Sequence, residues 1–184
     1  MMRELVFTYY PSPVLRMKAE YIDMSGRVVP PDDVLALLKQ MKHICVEKDG
    51  VGLAAQQVGI VAPVIVFGVP EERGEESESK RYKLVGVVNP DVVEQDDEKV
   101  IREEGCLSFP GLYIPIWRSR RIVVEGWFDD VRSFERRKLS DMSARIFSHE
   151  TDHINGILFI DRATEDIRQR IKPDLMRIAR RYRK

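Results

Sequence analysis

Apolar residues recur at helical spacing in three segments of the chain. The segment from Asp32 to Glu47 predicts an amphipathic helix that begins after two consecutive prolines. A second helix is predicted over Ser140–Asn155, with Gly156 capping its carboxyl end. From about Thr164 onward the pattern predicts a terminal helix with Ile178 facing inward.

Runs rich in Val, Ile and aromatic residues predict strands at Pro63–Val69, Lys83–Asn89, Val92–Arg102 and Ile122–Phe128. Between the first two lies a charged stretch at 71–80, which we expect to be an exposed loop insertion at a hairpin tip. The sequence contains no internal repeat and no interdomain linker. We therefore expect residues 1–184 to form one domain.

Composition is that of an ordinary water-exposed protein with one substantial core. The chain has 43% hydrophobic residues and a formal net charge of zero. Its first residues lack the apolar core of a secretory signal and the Arg and Ser content of a transit peptide, and no stretch approaches a membrane span. These features predict a cytoplasmic location and no membrane partner.

Two histidines one helical turn apart, His149 and His153, flank a carboxylate at Glu150. Residues at i and i+4 lie on the same helix face, so both imidazoles can reach one cation while Glu150 takes a proton from an activated water. The alternative is a surface helix that happens to carry two histidines. The spacing favours a hydrolytic metal site.

A catalytic site of this kind usually has a third protein ligand and one open position. Metzincin spacing is excluded because Phe159 stands where that pattern needs a third histidine. Downstream carboxylates are available, but they resemble solvated helix charges: Glu165, Asp166 and Asp174. Cys106 is the better candidate because it precedes a Ser-Phe-Pro-Gly turn, whereas Cys45 lies on the apolar face of the first helix and is expected in the core.

A glycine-rich stretch at Gly50–Gly59 superficially matches a dinucleotide-binding fingerprint. That fingerprint needs a preceding strand, and here a helix precedes it. Small residues at these positions instead favour the close approach of another chain to the backbone.

Together these segments resemble the peptide deformylase family. Gly50–Gln57 matches its motif G-x-G-L-A-A-x-Q, Glu104–Ser108 matches E-G-C-L-S, and His149–His153 matches H-E-x-D-H, in that chain order. Pro13–Arg16 is similar to the family's amino-terminal signature. The resemblance implies an α+β fold in which antiparallel and mixed β-sheets pack around a central helix that carries the H-E-x-x-H residues.

The resemblance also implies a metal-dependent hydrolase that removes the formyl group from the initiator formyl-methionine of nascent polypeptides and releases formate. It makes Cys106, His149 and His153 the metal ligands and favours Fe(II), although Zn, Ni and Co also suit such a site. By the same resemblance Glu150 is the general base and acid. Gln57 and the Leu107 backbone N–H are then donors at the oxyanion.

Substrate binding follows from the same resemblance. The peptide is expected to lie extended beside Gly52 and Val51, and the methionine side chain to contact Ile146 and Met142. Core packing alone would also place apolar residues at 142 and 146. The resemblance further suggests an ion pair between Glu104 and Arg118.

Charge is uneven at the carboxyl end, where the region 164–184 is strongly basic. Either this is an ordinary solvated helix, or it docks on ribosomal RNA near emerging chains. No aromatic stacking pattern accompanies it, so no DNA partner is expected. Two competing functions are a general H-E-x-x-H peptidase, which would cleave internal peptide bonds, and a binding module, which would have little need for Glu150 and Gln57.

Overall fold

The computed structural model describes residues 5–24, 30–71, 82–130 and 132–183, which form α-helices and two β-sheets. The α-helices are α1 Asp32–Glu47, α2 Asp141–Ile154, α3 Glu165–Arg170 and α4 Lys172–Tyr182. The strands are β1 Gly52–Ala54, β2 Val64–Pro70, β3 Tyr82–Gln95, β4 Lys99–Gly105, β5 Tyr113–Ser119, β6 Arg121–Phe128 and β7 Ser133–Ser140. Short 3₁₀ turns occur at Pro13–Arg16, Ala55–Val58 and Phe159–Arg162.

The larger sheet has the strand order β1-β2-β3-β6-β7, and β4 and β5 form a separate two-stranded sheet. Every pairing among the described strands is antiparallel, so no mixed sheet is found there. The physical reason is that a parallel pair needs a crossover of a dozen or more residues, whereas most of these strands follow one another through short connections. The expected α+β class is confirmed.

Helix α2 lies at the centre of the fold. Its apolar side packs on the larger sheet, where Phe147 and Phe67 meet edge-to-face with ring centroids 5.2 Å apart. Its other side faces β5 of the small sheet, so that nearly every residue from Ser143 to Ile154 is buried. A helix covered on both sides can present polar side chains to an enclosed site.

The amino-terminal segment fastens the end of α2. Ala19 donates its N–H to the Ile154 carbonyl at 2.8 Å, and Arg16 forms an ion pair with Asp161. Gly156 has φ of +72°, as predicted for the residue that ends this helix, and a Cβ there would overlap the Arg16 carbonyl. The Pro13–Arg16 segment is therefore held against the helix that carries both histidines.

Several predicted boundaries were wrong. The strands expected at 83–89 and 92–102 are instead one long β3, which continues through Pro90 with bulges, and then β4. Strands β1, β5 and β7 were not predicted, and the terminal helix is divided into α3 and α4. The insertion expected at 71–80 lies outside the described residues except for Glu71. Among the helices that the structure describes, none is long and apolar enough to cross a bilayer.

Candidate active site

Three potential metal ligands converge where β4 ends beside α2. The Cys106 Sγ and one ring nitrogen each of His149 and His153 all lie within 4.8 Å of one another. Cys106 Sγ is 3.2 Å from His153 Nε2, and the two imidazole centroids are 5.2 Å apart. Cys106 directly follows β4, and its carbonyl accepts the Phe109 N–H at 2.8 Å in the turn that follows. The turn and the helix together supply one thiol and two imidazoles to the same point.

The donor set and its electrostatics suit a divalent cation. Burial and the neighbouring His149 both lower the pKa of His153 well below its ordinary value, so this ring is neutral and can donate a lone pair. Burial would also lower the pKa of His149, but hydrogen bonds to Cys106 and Glu104 raise it well above the ordinary value. A position that favours a proton in this way also favours a metal cation. These three side chains therefore suit a divalent metal ion bound by one cysteine and two histidines.

A buried ion-pair network stands behind the histidines. The Glu104 carboxylate contacts His149 Nδ1 at 3.0 Å and accepts two hydrogen bonds from Arg118, also at 3.0 Å each. Arg118 donates a further bond to Asp152 at 2.6 Å. Burial alone would raise the pKa of Glu104, but the bonds from His149 and Arg118 hold it well below its usual range. The expected Glu104–Arg118 pair is present, and it extends to the aspartate of the H-E-x-D-H segment.

Glu150 is enclosed and has a free acceptor. Its Oε2 atom has no hydrogen-bond partner within the described part of the chain, and burial raises the pKa of Glu150 to about 7. A Cβ built on Gly52 would overlap Glu150 Oε1 and lie 2.7 Å from Ile146 Cγ2. The carboxylate thus lies directly against the first motif and is poised to exchange a proton near neutral pH.

Gln57 joins the first motif to Cys106. Its Oε1 accepts the Ala54 N–H at 2.8 Å, which fixes the orientation of the amide. Its Nε2 faces Cys106 Sγ at 3.4 Å and Ser108 Oγ at 3.3 Å, both long contacts that a better acceptor could replace. Leu107 lies beside Cys106 and packs towards Gly50. The structure thus places Gln57 and Leu107 on either side of Cys106 at the same cavity.

A cavity of about 760 Å³ opens in front of these groups. The residues predicted for substrate binding all line it: Val51, Gly52, Met142 and Ile146. Gln57, Cys106, Leu107, His149 and Glu150 line it as well, whereas His153 lies behind, almost completely buried. The downstream carboxylates lie elsewhere on helix surfaces, where Glu165 pairs with Arg168 and Asp174 with Arg177.

Sequence reasoning missed three residues of this region. Tyr9 and Tyr182 stack with centroids 4.0 Å apart and form one wall of the cavity, a long-range contact between the chain's two ends that no local pattern signals. Arg145 is buried and bonds Glu104. Its signal was available, because it lies one turn before His149 on the same helix face.

Comparisons with known proteins point to one family. Residues 5–169 match the family model described as polypeptide deformylase. The chain is 37% identical to a peptide deformylase of Thermotoga sp. (strain RQ2), over 91% of this chain and 92% of that protein. It is also 34% identical to the chloroplastic peptide deformylase 1B of Oryza sativa subsp. japonica. That alignment includes 94% of this chain but only 60% of the rice protein, so the chain spans less than two thirds of that relative's length.

Solved structures agree with the sequence comparisons. The crystal structure of a plant peptide deformylase, PDF1B, superimposes on this structure with a TM-score of 0.83 at 33% sequence identity. The superposition includes 99% of this chain and 92% of the plant chain. The family model matches most of the chain, and the relatives above 30% identity share its fold. The chain therefore belongs to the polypeptide deformylase family.

Proposed function

We propose that this protein removes the N-formyl group from the initiator formyl-methionine of newly made polypeptides and releases formate. One observation carries the proposal: the Cys106, His149 and His153 donor atoms lie within 4.8 Å of one another, at a cavity where Glu150 keeps an unpartnered oxygen. Membership of the family supports the same reaction.

A divalent metal bound by Cys106, His149 and His153 would supply Lewis-acid polarisation and acidify water. Glu150 then accepts the proton of the attacking water at its free Oε2, as oxygen bonds to the formyl carbon. The same carboxyl returns the proton to the leaving nitrogen when the carbon–nitrogen bond breaks. One water is consumed, and the products are formate and a free amino terminus.

Negative charge develops on the formyl oxygen, and two donors are available to it. In this proposal the Gln57 amide exchanges its long contacts for a bond to that oxygen, and the Leu107 backbone N–H donates beside it. The amide needs no reorientation because Ala54 already holds its other end. Such preorganisation lowers the barrier without cost at the moment of reaction.

The peptide is proposed to lie extended along Val51 and Gly52, with its methionine side chain between Met142 and Ile146. Gly52 supports this arrangement because its missing side chain lets strand β1 lie directly against Glu150 and Ile146, where a Cβ would overlap both. Ile146 is buried and Met142 partly buried at the cavity wall, which suits an unbranched apolar side chain.

We also propose that Fe(II) is the metal bound in the cell, because the family resemblance favours it among the metals that suit a Cys/His/His donor set, which include Zn, Ni and Co. Anaerobic purification followed by metal analysis tests this. The function itself is tested by formate release from a formyl-Met tripeptide, with the N-acetyl-Met tripeptide as the matched control. Cleavage of internal peptide bonds in unformylated peptides, without formate release, would favour a general peptidase instead.

A further proposal concerns partners and location. Arg177, Arg180 and Arg181 are exposed on α4 while Ile178 is buried, which leaves a basic outer face for ribosomal RNA. Replacing the three arginines with glutamate should abolish co-sedimentation with ribosomes and leave formate release from free peptides intact. Both cysteines are unpaired, which suits the reducing cytoplasm, and cell fractionation tests that location.

A further inference from the structure

We propose that Arg145 is a positioning residue that holds His149 in its orientation by fixing Glu104. This inference rests on the proposed metal-dependent function. It assigns a role to a residue outside the three family motifs.

Arg145 links the central helix to both strands of the small sheet. Its side chain bonds Glu104 and also donates to the Ile116 carbonyl at 3.0 Å and to the Val100 carbonyl at 2.6 Å. Val100 and Glu104 belong to β4, and Ile116 belongs to β5. One guanidinium therefore fixes the small sheet against α2 at the level of the histidines.

Glu104 is the point at which this link reaches His149. Its Oε1 accepts hydrogen bonds from Arg118 and Arg145, and its Oε2 contacts Arg118 and His149 Nδ1. Two arginines therefore hold the carboxylate from two directions. Without Arg145, the carboxylate could rotate about the Arg118 fork and leave the imidazole unsupported.

The contact to Nδ1 decides which nitrogen of His149 is free to bind a metal. A carboxylate at Nδ1 fixes that atom as the N–H donor and directs Nε2, with its lone pair, towards the cation. Arg145 lies one helical turn before His149, so the residue and the imidazole that it supports are on the same face.

Charge balance explains why two buried arginines are compatible with this interior. Arg145 is 4% exposed and Arg118 is 7% exposed, and the buried carboxylates of Glu104 and Asp152 face them. Loss of Arg145 would leave Glu104 with Arg118 as its arginine partner, whereas Asp152 would keep both Arg118 and Arg162. Because removing one partner from a buried cluster is costly, the test must separate stability from positioning.

The test compares Arg145→Met, which keeps an unbranched apolar stem, with Arg145→Lys and with the exposed control Arg120→Met. Arg120 pairs at the surface with Glu98 and with Asp141, the first residue of α2, so this control removes exposed ion pairs two helical turns before His149. The readouts are metal affinity by chelator competition, the Nδ1–H resonance of His149 in the metal-free protein, thermal stability, kcat and KM.

We expect Arg145→Met to weaken metal binding by about 10-fold, the lower end of the range for losing a ligand's direct partner, because Arg145 acts on His149 through Glu104. We also expect the His149 Nδ1–H resonance to shift or broaden, kcat to fall and KM to stay within about 2-fold of the parental value. Arg145→Lys should be intermediate because it keeps one charge near Glu104, and Arg120→Met should match the parental protein in metal affinity.

Parental metal affinity and an unchanged resonance in Arg145→Met, even with lower thermal stability, would overturn the proposal. If that variant does not fold, Arg145→Lys decides in the same way. Formate release by the parental protein is measured in parallel. A parental protein that binds metal but releases no formate would contradict the proposed function, whereas the affinity and resonance data would still judge Arg145.

Discussion

The carboxylate of Glu150 occupies the space into which a side chain on Gly52 would project. Strand β1 and helix α2 are thus in contact at the point where the reaction is proposed to occur. The glycine of the first motif and the glutamate of the third are parts of one packing arrangement, although 98 positions separate them in the sequence.

Gly52→Ala should therefore lower activity by displacing Glu150. The added methyl group would overlap Oε1, and a displacement of about 1 Å in a catalytic group costs on the order of 10²-fold in rate. The measurement is kcat for formate release at a temperature where the variant stays folded. Gly59→Ala is the control. Its positive φ predicts a stability loss of about 1 kcal/mol, but its added Cβ would lie near the Val6 carbonyl and not near Glu150, so kcat should be unchanged. Parental kcat in Gly52→Ala would contradict the proposed position of the base.

Glu150→Gln should retain the metal and lose turnover. The amide has nearly the same shape but cannot accept and return a proton, so kcat should fall by at least about 10²-fold. Metal content and kcat are measured on the same preparation. Equal rates in the two proteins would remove Glu150 from the proposed proton transfer.

Cys106→Ser should sharply weaken metal retention because it replaces an anionic thiolate with a neutral hydroxyl. Cys45→Ala is the matched control. Cys45 is fully buried, and burial raises the pKa of its thiol to about 12, so it stays protonated and packs as a small apolar group. The control should lose some thermal stability and keep its metal. Full occupancy and activity in Cys106→Ser would require a different third ligand.

Gln57→Glu should lower kcat far more than it changes KM. The substitution keeps an oxygen that can accept the Ala54 N–H but removes the amide donor, and one such donor is typically worth about 10²–10³ in kcat. Gln56→Glu is the comparison. Gln56 is also fully buried, but its amide donates to the Met17 carbonyl away from the cavity. Its variant should lose stability and retain kcat, and equal effects at the two positions would assign Gln57 a structural role.

Helices could be predicted from the sequence more closely than strands. The predicted helix at Asp32–Glu47 agrees with α1, and α2 differs from its prediction by one residue at each end, because both have strong apolar periodicity and clear end signals. Strand β7 was missed because it carries charges on the outer edge of the sheet, where Arg137 and Lys138 interrupt the apolar pattern.

The motifs and the family resemblance predicted the residues of the candidate site and the Glu104–Arg118 pair, but not the other contacts that support them. The spacing of Arg145 from His149 places it on the ligand face of the helix, but only the tertiary structure reveals its bonds to β4 and β5. The Arg118–Asp152 pair joins positions 34 residues apart, and the Tyr9–Tyr182 stack joins the two ends of the chain. Such contacts depend on how sheets and helices assemble, which local spacing does not encode.

Formate release from a formyl-Met tripeptide, measured before and after removal and return of the metal, tests the central proposal most directly. Anaerobically purified protein should release formate, chelation should abolish the release, and one equivalent of Fe(II) should restore it, with no release from the N-acetyl peptide. Undiminished formate release by the metal-free protein, or none by the metal-loaded protein, would contradict the proposed function of the Cys106, His149 and His153 site.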